Sequence, residues 1–284
     1  MTARSTSVRR QTTQTKMIMI FILVMSLSGL ENLIAELIPE PEIGLIEVGI
    51  SSFFFVPLAL CILFNNWWAA LAAPIGEIVF SDLVLGEFGG LGEFEEVILV
   101  TIALFIAGWM VKDPKDRKQV LIAGLVAYLL AEVPATFIDI FKVWVGVEEL
   151  EAVEGLPESV VVLETLDFAI EYVITGVIFG ALPAVWLTRR LHGKIEPLMG
   201  LKPRSPDEPR AMGQGGKLVI YGVLGLVAAT IIAVVSEMGF NIVEWEPEFL
   251  DTIGEWFIWV PIVLAAIVAA VVLYLRANRD EREV

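Results

Sequence analysis

Between Phe53 and Gly86 the chain reads FFFVPLALCILFNNWWAALAAPIGEIVFSDLVLG. Two apolar runs, Phe53–Phe64 and Ala69–Leu85, flank the short polar-aromatic break Asn65-Asn66-Trp67-Trp68. The second run carries Pro74, Gly76, Glu77 and Asp82 inside hydrocarbon. The spans that hold these runs, Glu47–Phe64 and Ala69–Leu85, are expected to cross a bilayer, and a carboxylate at mid-span must face protein or water rather than lipid. The rest of the chain is therefore expected to build the surroundings of that helix.

Composition narrows the class. Of 284 residues, 57% are hydrophobic, and the mean hydropathy is +0.77. Soluble domains sit nearer ~45–50% apolar, so the pattern is that of a polytopic membrane protein. The single cysteine, Cys61, excludes an intrachain disulfide, and the single histidine, His192, excludes a histidine metal cluster. A net charge of −16 argues against nucleic acid as a partner.

In chain order, Met1–Lys16 reads as a disordered cytoplasmic tail. Candidate spans follow at Met17–Ile38, Glu47–Phe64, Ala69–Leu85, Val97–Val111, Val120–Val145, Ser159–Leu187, Leu218–Val243 and Ile253–Leu275. The first also resembles a signal peptide with Ser26-Leu27-Ser28 as a cleavage site, but its apolar run continues past that site, which favours a retained helix. The expectation is an all-α integral membrane protein of about eight transmembrane helices, multi-pass in the cell membrane, with N- and C-termini cytoplasmic.

Lysine and arginine give the orientation. With the N-terminus inside, the cytoplasmic pieces are Met1–Lys16, Asn65–Trp68, Lys112–Gln119, Thr188–Lys217 and Arg276–Val284, and every Lys and Arg except Lys142 falls in them. That is the positive-inside pattern. The opposite loops are acidic, with Glu87–Glu96 and Glu148–Glu158 the clearest cases. Trp67, Trp68, Trp109 and Trp186 fall at inner helix ends, and Trp144, Trp245, Trp256 and Trp259 at outer ends, as aromatic belts require.

This topology assigns depth to the intramembrane acids. Glu77 and Glu132 lie near mid-span with Asp82 above the first, and Glu164, Asp167 and Glu171 descend the sixth helix from outside. Glu132 and Asp139, seven residues apart, share a helical face. One reading places Asp139, Glu164 and Asp167 merely among outer headgroups. Glu77, Glu132 and Glu171 fit a lined cavity or a paired network better. The candidate binding set is Glu77, Asp82, Glu132 and Glu171, with Asn32, Glu36, Asp139 and Asp167 toward the mouth. Its charge favours a cationic or hydrogen-bond-donating small-molecule solute. Lys142, three residues after Asp139, reads as a local ion pair or a snorkelling side chain. Small residues at Gly176, Gly180 and Ala184 mark close helix packing or a subunit interface.

Enzymatic motifs fail. Gly213–Leu218 glances at a phosphate loop but lacks its first glycine, and Leu218 stands where Ser or Thr must hold magnesium. No nucleophile–base pair can be built around one loop histidine, so no enzyme activity and no cofactor are expected.

The segment Phe53–Gly86, its glycine- and acid-rich outer loop Glu87–Glu96 and the apolar run to Gly108 resemble the S components of energy-coupling-factor (ECF) vitamin transporters. The shared features are Pro57, the small residues Ala69–Ala73, the Gly76-Glu77 step, Asp82 and the glycines of Gly86–Gly92. Departures are Asn65–Trp68 where that family often has more glycines, and no evident small-residue docking stripe in Met17–Ile38. The resemblance implies a six-helix membrane domain over 17–191; beyond it, and departing from that family, the residues give a basic cytoplasmic loop at 192–216, an additional helix pair over 217–276 and a tail at 277–284. It also implies a high-affinity outward pocket, a membrane scaffold subunit and two ATPase subunits as partners. Two alternatives stay open: a secondary transporter relaying protons or cations through Glu77, Glu132 or Glu171, and a non-transport scaffold with acidic outer loops.

Overall fold

A computed structural model of the chain describes residues 2–38, 42–43, 46–47, 50, 52–86, 88–145, 159–206 and 214–238. All belong to the first of two units, Met1–Trp245. The expected helix Ile253–Leu275, the loop Glu148–Glu158 and the C-terminal tail lie outside the described residues.

Every long element is a helix. The helices are α1 (Thr2–Glu36), α2 (Phe55–Phe64), α3 (Trp67–Glu77), α4 (Leu83–Leu85), α5 (Glu93–Met110), α6 (Arg117–Val145), α7 (Val160–Glu171), α8 (Leu182–Leu191), α9 (Ile195–Leu198) and α10 (Gln214–Glu237). A π-helical segment, Ile78–Asp82, joins α3 to α4, and another, Tyr172–Ala181, joins α7 to α8. A hairpin of two-residue strands, β1 (Glu42–Ile43) and β2 (Ile46–Glu47), follows α1.

Five stretches are long and apolar enough to cross a membrane: Gln14–Glu36, Trp67–Leu85, Arg117–Val145, Val160–Leu191 and Val219–Ser236. Three expectations are corrected. The Met1–Lys16 tail, expected to be irregular, is helical from Thr2 and continuous with the first span. The expected span Glu47–Phe64 contains only the ten-residue α2, about half of a ~30 Å hydrocarbon core at ~1.5 Å per residue. Its start is set by Pro57, which lacks an N–H and suits a first turn, and by Glu31, whose Oε1 accepts from the Val56 N–H at 3.3 Å. Thirdly, α5 begins at Glu93 rather than Val97, so Glu93, Glu95 and Glu96 form its first turn.

Packing follows the small residues. α1 lies along α3 and its π segment, α2 and α3 pack on α5, α5 on α6, and α6 on the second π segment and α8. A close backbone crossing pairs Gly29 with Gly76. A Cβ on Gly29 would collide with the Gly76 carbonyl, and one on Gly76 with the Met25 carbonyl. Gly176 meets the Tyr128 ring in the same way. The core between these contacts holds Leu58, Leu60 and Ile62 of α2, Ala69 and Ala73 of α3, Leu104 and Ala107 of α5, and Ala127 and Tyr128 of α6.

The segment after α8, expected as a basic loop, is folded onto the bundle. Ile195, Met199 and Leu201 pack against the core. Glu196 is fully buried and accepts from the Gly193 N–H at 2.8 Å, with His192 Nδ1 at 2.7 Å. Arg204 Nη1 donates to the carbonyls of Ile62 and Gly108 at 2.9 and 2.7 Å, near the ends of α2 and α5. Carbonyls in a last helical turn lack intrahelical donors, and a cation there also meets the negative end of the helix dipole. Lys16 Nζ donates to the Gly200 carbonyl at 2.8 Å, fastening α1 to the same segment.

The charged turn Lys112–Arg117 is ordered by its own side chains. Gln119 Oε1 accepts from the Lys112 N–H at 2.8 Å, and its Nε2 donates to Asp116 Oδ2 at 2.9 Å. Donation from Gln119, and then from the Lys118 N–H, holds the Asp116 carboxyl below the usual aspartate range.

Candidate functional site

A cavity of about 360 Å³ opens among α3, α5, α6 and α7. α3 contributes Glu77; α5 contributes Glu93, Glu95, Glu96, Leu99 and Val100; α6 contributes Ala131, Glu132, Ala135 and Lys142; α7 contributes Glu171. Ser52 and Gly92 complete the wall. Six carboxylates and one ammonium thus share one volume.

Local irregularity presents the acids. Pro74 lies inside α3, and Glu77 is that helix's last residue before the π segment. Gly76 lets α1 approach closely and so fixes the depth at which Glu77 stands. On α6, Pro134 follows Glu132 by two residues, and Thr136 Oγ1 donates to the Glu132 carbonyl at 2.9 Å. Glu171 ends α7 at the second π segment. The α5 glutamates sit at a helix N-terminus, where the partial positive charge favours carboxylates. Glu93 Oε1 also accepts from the Gly89 N–H at 3.0 Å.

The charges form two groups that share a member. Glu77 feels Glu96 most strongly, then Asp82, Glu36 and Glu93. Glu132 feels Glu171 first, then Glu96, Asp139 and Asp167. Glu96 joins the two groups. At the C-terminal end of α6, Lys142 Nζ lies 2.8 Å from Asp139 Oδ1.

Of the residues expected from the sequence, Glu77, Glu132 and Glu171 line the cavity together. Asp82 does not: it is buried and hydrogen-bonded with the Glu93 side chain, but it is not a lining residue. Glu36, Asp139 and Asp167 lie within electrostatic reach of the lining acids without lining the cavity. Asn32 is buried on α1 and is not part of the wall. Sequence reasoning missed Glu93, Glu95 and Glu96 by leaving them in the outer loop. Their signal was present: acidic residues immediately before an apolar run mark a first helical turn, and Glu93 and Glu96 share a face at i, i+3.

Among the described residues, no group of three or more His, Cys, Asp or Glu side chains is arranged to hold a metal ion. The carboxylates surround a volume rather than a point.

A larger groove of about 650 Å³ runs between α5 and α10 beside Trp67 and Leu71. Its wall, which includes Thr101, Ile102, Phe105, Tyr221 and Gly225, carries no charged side chain. Size alone therefore does not locate the chemistry. α10 packs on α5 and α6 in a cluster of Leu99, Ile138, Ala229 and Ala233, and none of its residues lines the acidic cavity.

No curated protein and no solved structure matches the chain. A family model matches residues 19–284, spanning the acidic cavity and α10 alike. The chain belongs to that family, described as a family of unknown function, DUF8171.

Proposed function

We propose that the chain is a multi-pass membrane protein that captures a small cationic or hydrogen-bond-donating solute from outside in the acidic cavity. The observation that carries this reading is the meeting of Glu77, Glu132 and Glu171, from three helices, on one wall. Charges facing lipid cost ~3 kcal/mol each or more on insertion scales, and a shared cavity removes that cost. The orientation rests on the segregation of Lys and Arg. The resemblance to S components supplies the energy source: a scaffold subunit and two ATPase subunits that turn the loaded protein inward.

A second reading has its own support. Glu77 and Glu171 each border a π segment, and interrupted helices beside mid-membrane carboxylates suit a secondary transporter driven by protons or cations. Uptake measured in cells and in liposomes holding the purified chain separates the two. ATP-dependent uptake with copurifying ATPases supports the capture subunit; uptake by the chain alone along an ion gradient supports the second reading. Absence of both uptake and bound solute would leave a membrane scaffold.

A further inference from the structure

We propose that Lys142 is the tethered counter-cation of the cavity and limits how much positive charge an incoming solute can bring. The inference rests on the reading of the cavity as a cation site.

Lys142 is the one Lys or Arg outside the pieces that the sequence assigns to the cytoplasm. A lysine near a helix end normally carries its ammonium outward to water. Here its side chain is 12% exposed against 31% for its partner Asp139. It lines the same cavity as Glu132 and Glu171. The ammonium 2.8 Å from Asp139 is thus a cation already seated at the edge of the site.

Helix pairs at i, i+3 are weak, and the lysine arm has four rotatable carbons. The ammonium can leave Asp139, which lies within electrostatic reach of Glu132. A monocation entering near Glu132 and Glu171 leaves the Lys142–Asp139 pair intact. A dication of butane length brings a second ammonium into the volume that Lys142 lines, where the two like charges repel. Lys142 therefore selects singly charged solutes over doubly charged ones.

Calorimetric titration of the full purified chain with butylammonium and with 1,4-butanediammonium tests this. Lys142→Gln should tighten diammonium binding by about tenfold relative to butylammonium, the scale of one close charge pair. Lys142→Arg should leave the ratio at the wild-type value. Asp139→Asn removes the anchor but keeps the ammonium, and should weaken diammonium binding. A pair that served only folding would move Lys142→Gln and Asp139→Asn in the same direction, and that result overturns the proposal. So does an unchanged ratio in Lys142→Gln while Glu132→Gln loses binding. If wild type binds neither probe, the cation-site reading falls and this inference with it.

Discussion

Glu77 and Glu171 occupy equivalent positions in two helices: each is the last α-helical residue before a π-helical segment. A π turn replaces i→i+4 bonds with i→i+5 bonds, and such segments recur where a side chain must be re-aimed for function. Both carboxylates line one cavity with Glu132, itself two residues before Pro134.

Replacing Glu77, Glu132 or Glu171 singly by Gln removes one charge while keeping size. Each variant should insert and purify normally yet bind a cationic solute roughly tenfold or more weakly. Protons compete with a cation for the same carboxylates, so wild-type binding should fall as pH is lowered, and the variants should show a shallower fall. Titration at several pH values checks both effects. Three variants that all bind like wild type would remove the carboxylates from the site.

The Gly29–Gly76 crossing should tolerate no side chain. Gly76→Ala places a methyl against the Met25 carbonyl, an overpacking that costs about 1–3 kcal/mol. It should lower the unfolding temperature in detergent and weaken solute binding, because Glu77 is the next residue. Gly193→Ala, whose added Cβ meets nothing within 4 Å but whose φ is +78°, should cost stability without touching the cavity.

These features differ in how far the sequence announces them. Mid-span acids in long apolar runs place Glu77, Glu132 and Glu171 on helices, and their convergence follows from avoiding lipid. The lengths of α2 and α5 depend on finer signals that hydropathy averages away. Pro57 sets where α2 starts, and Glu93–Glu96 reads as loop until it is recognised as a first turn. The Gly29–Gly76 contact joins residues 47 apart in the sequence, so no local pattern reveals it. Nor does composition reveal that Arg204 reaches back to α2 and α5; a basic loop reads as solvated until its partners are known.

Arg204 should be the most sensitive residue of the segment after α8. Arg204→Ala leaves the Ile62 and Gly108 carbonyls without that donor, and charge-assisted bonds contribute about 1.5–3 kcal/mol. Lysine has a single ammonium in place of the fork and should restore only part of the loss. Thermal unfolding of the two variants checks the order wild type, Lys, Ala. Equal stability of all three would contradict a tie between α2 and α5.

Topology has a separate test. Ser205 is exposed in the segment assigned to the cytoplasm, and Phe94 is exposed at the start of α5 on the opposite side. In a Cys61→Ala background, Ser205→Cys should resist an impermeant thiol reagent in intact cells, and Phe94→Cys should react. The reverse pattern would invert the orientation.

The most direct measurement is native mass spectrometry of the gently purified chain beside its Glu132→Gln variant. The account predicts a small cationic or hydrogen-bond-donating molecule retained by wild type and lost or much reduced in the variant. An empty wild-type protein that also binds no added organic cation, or equal occupancy in both proteins, would contradict it.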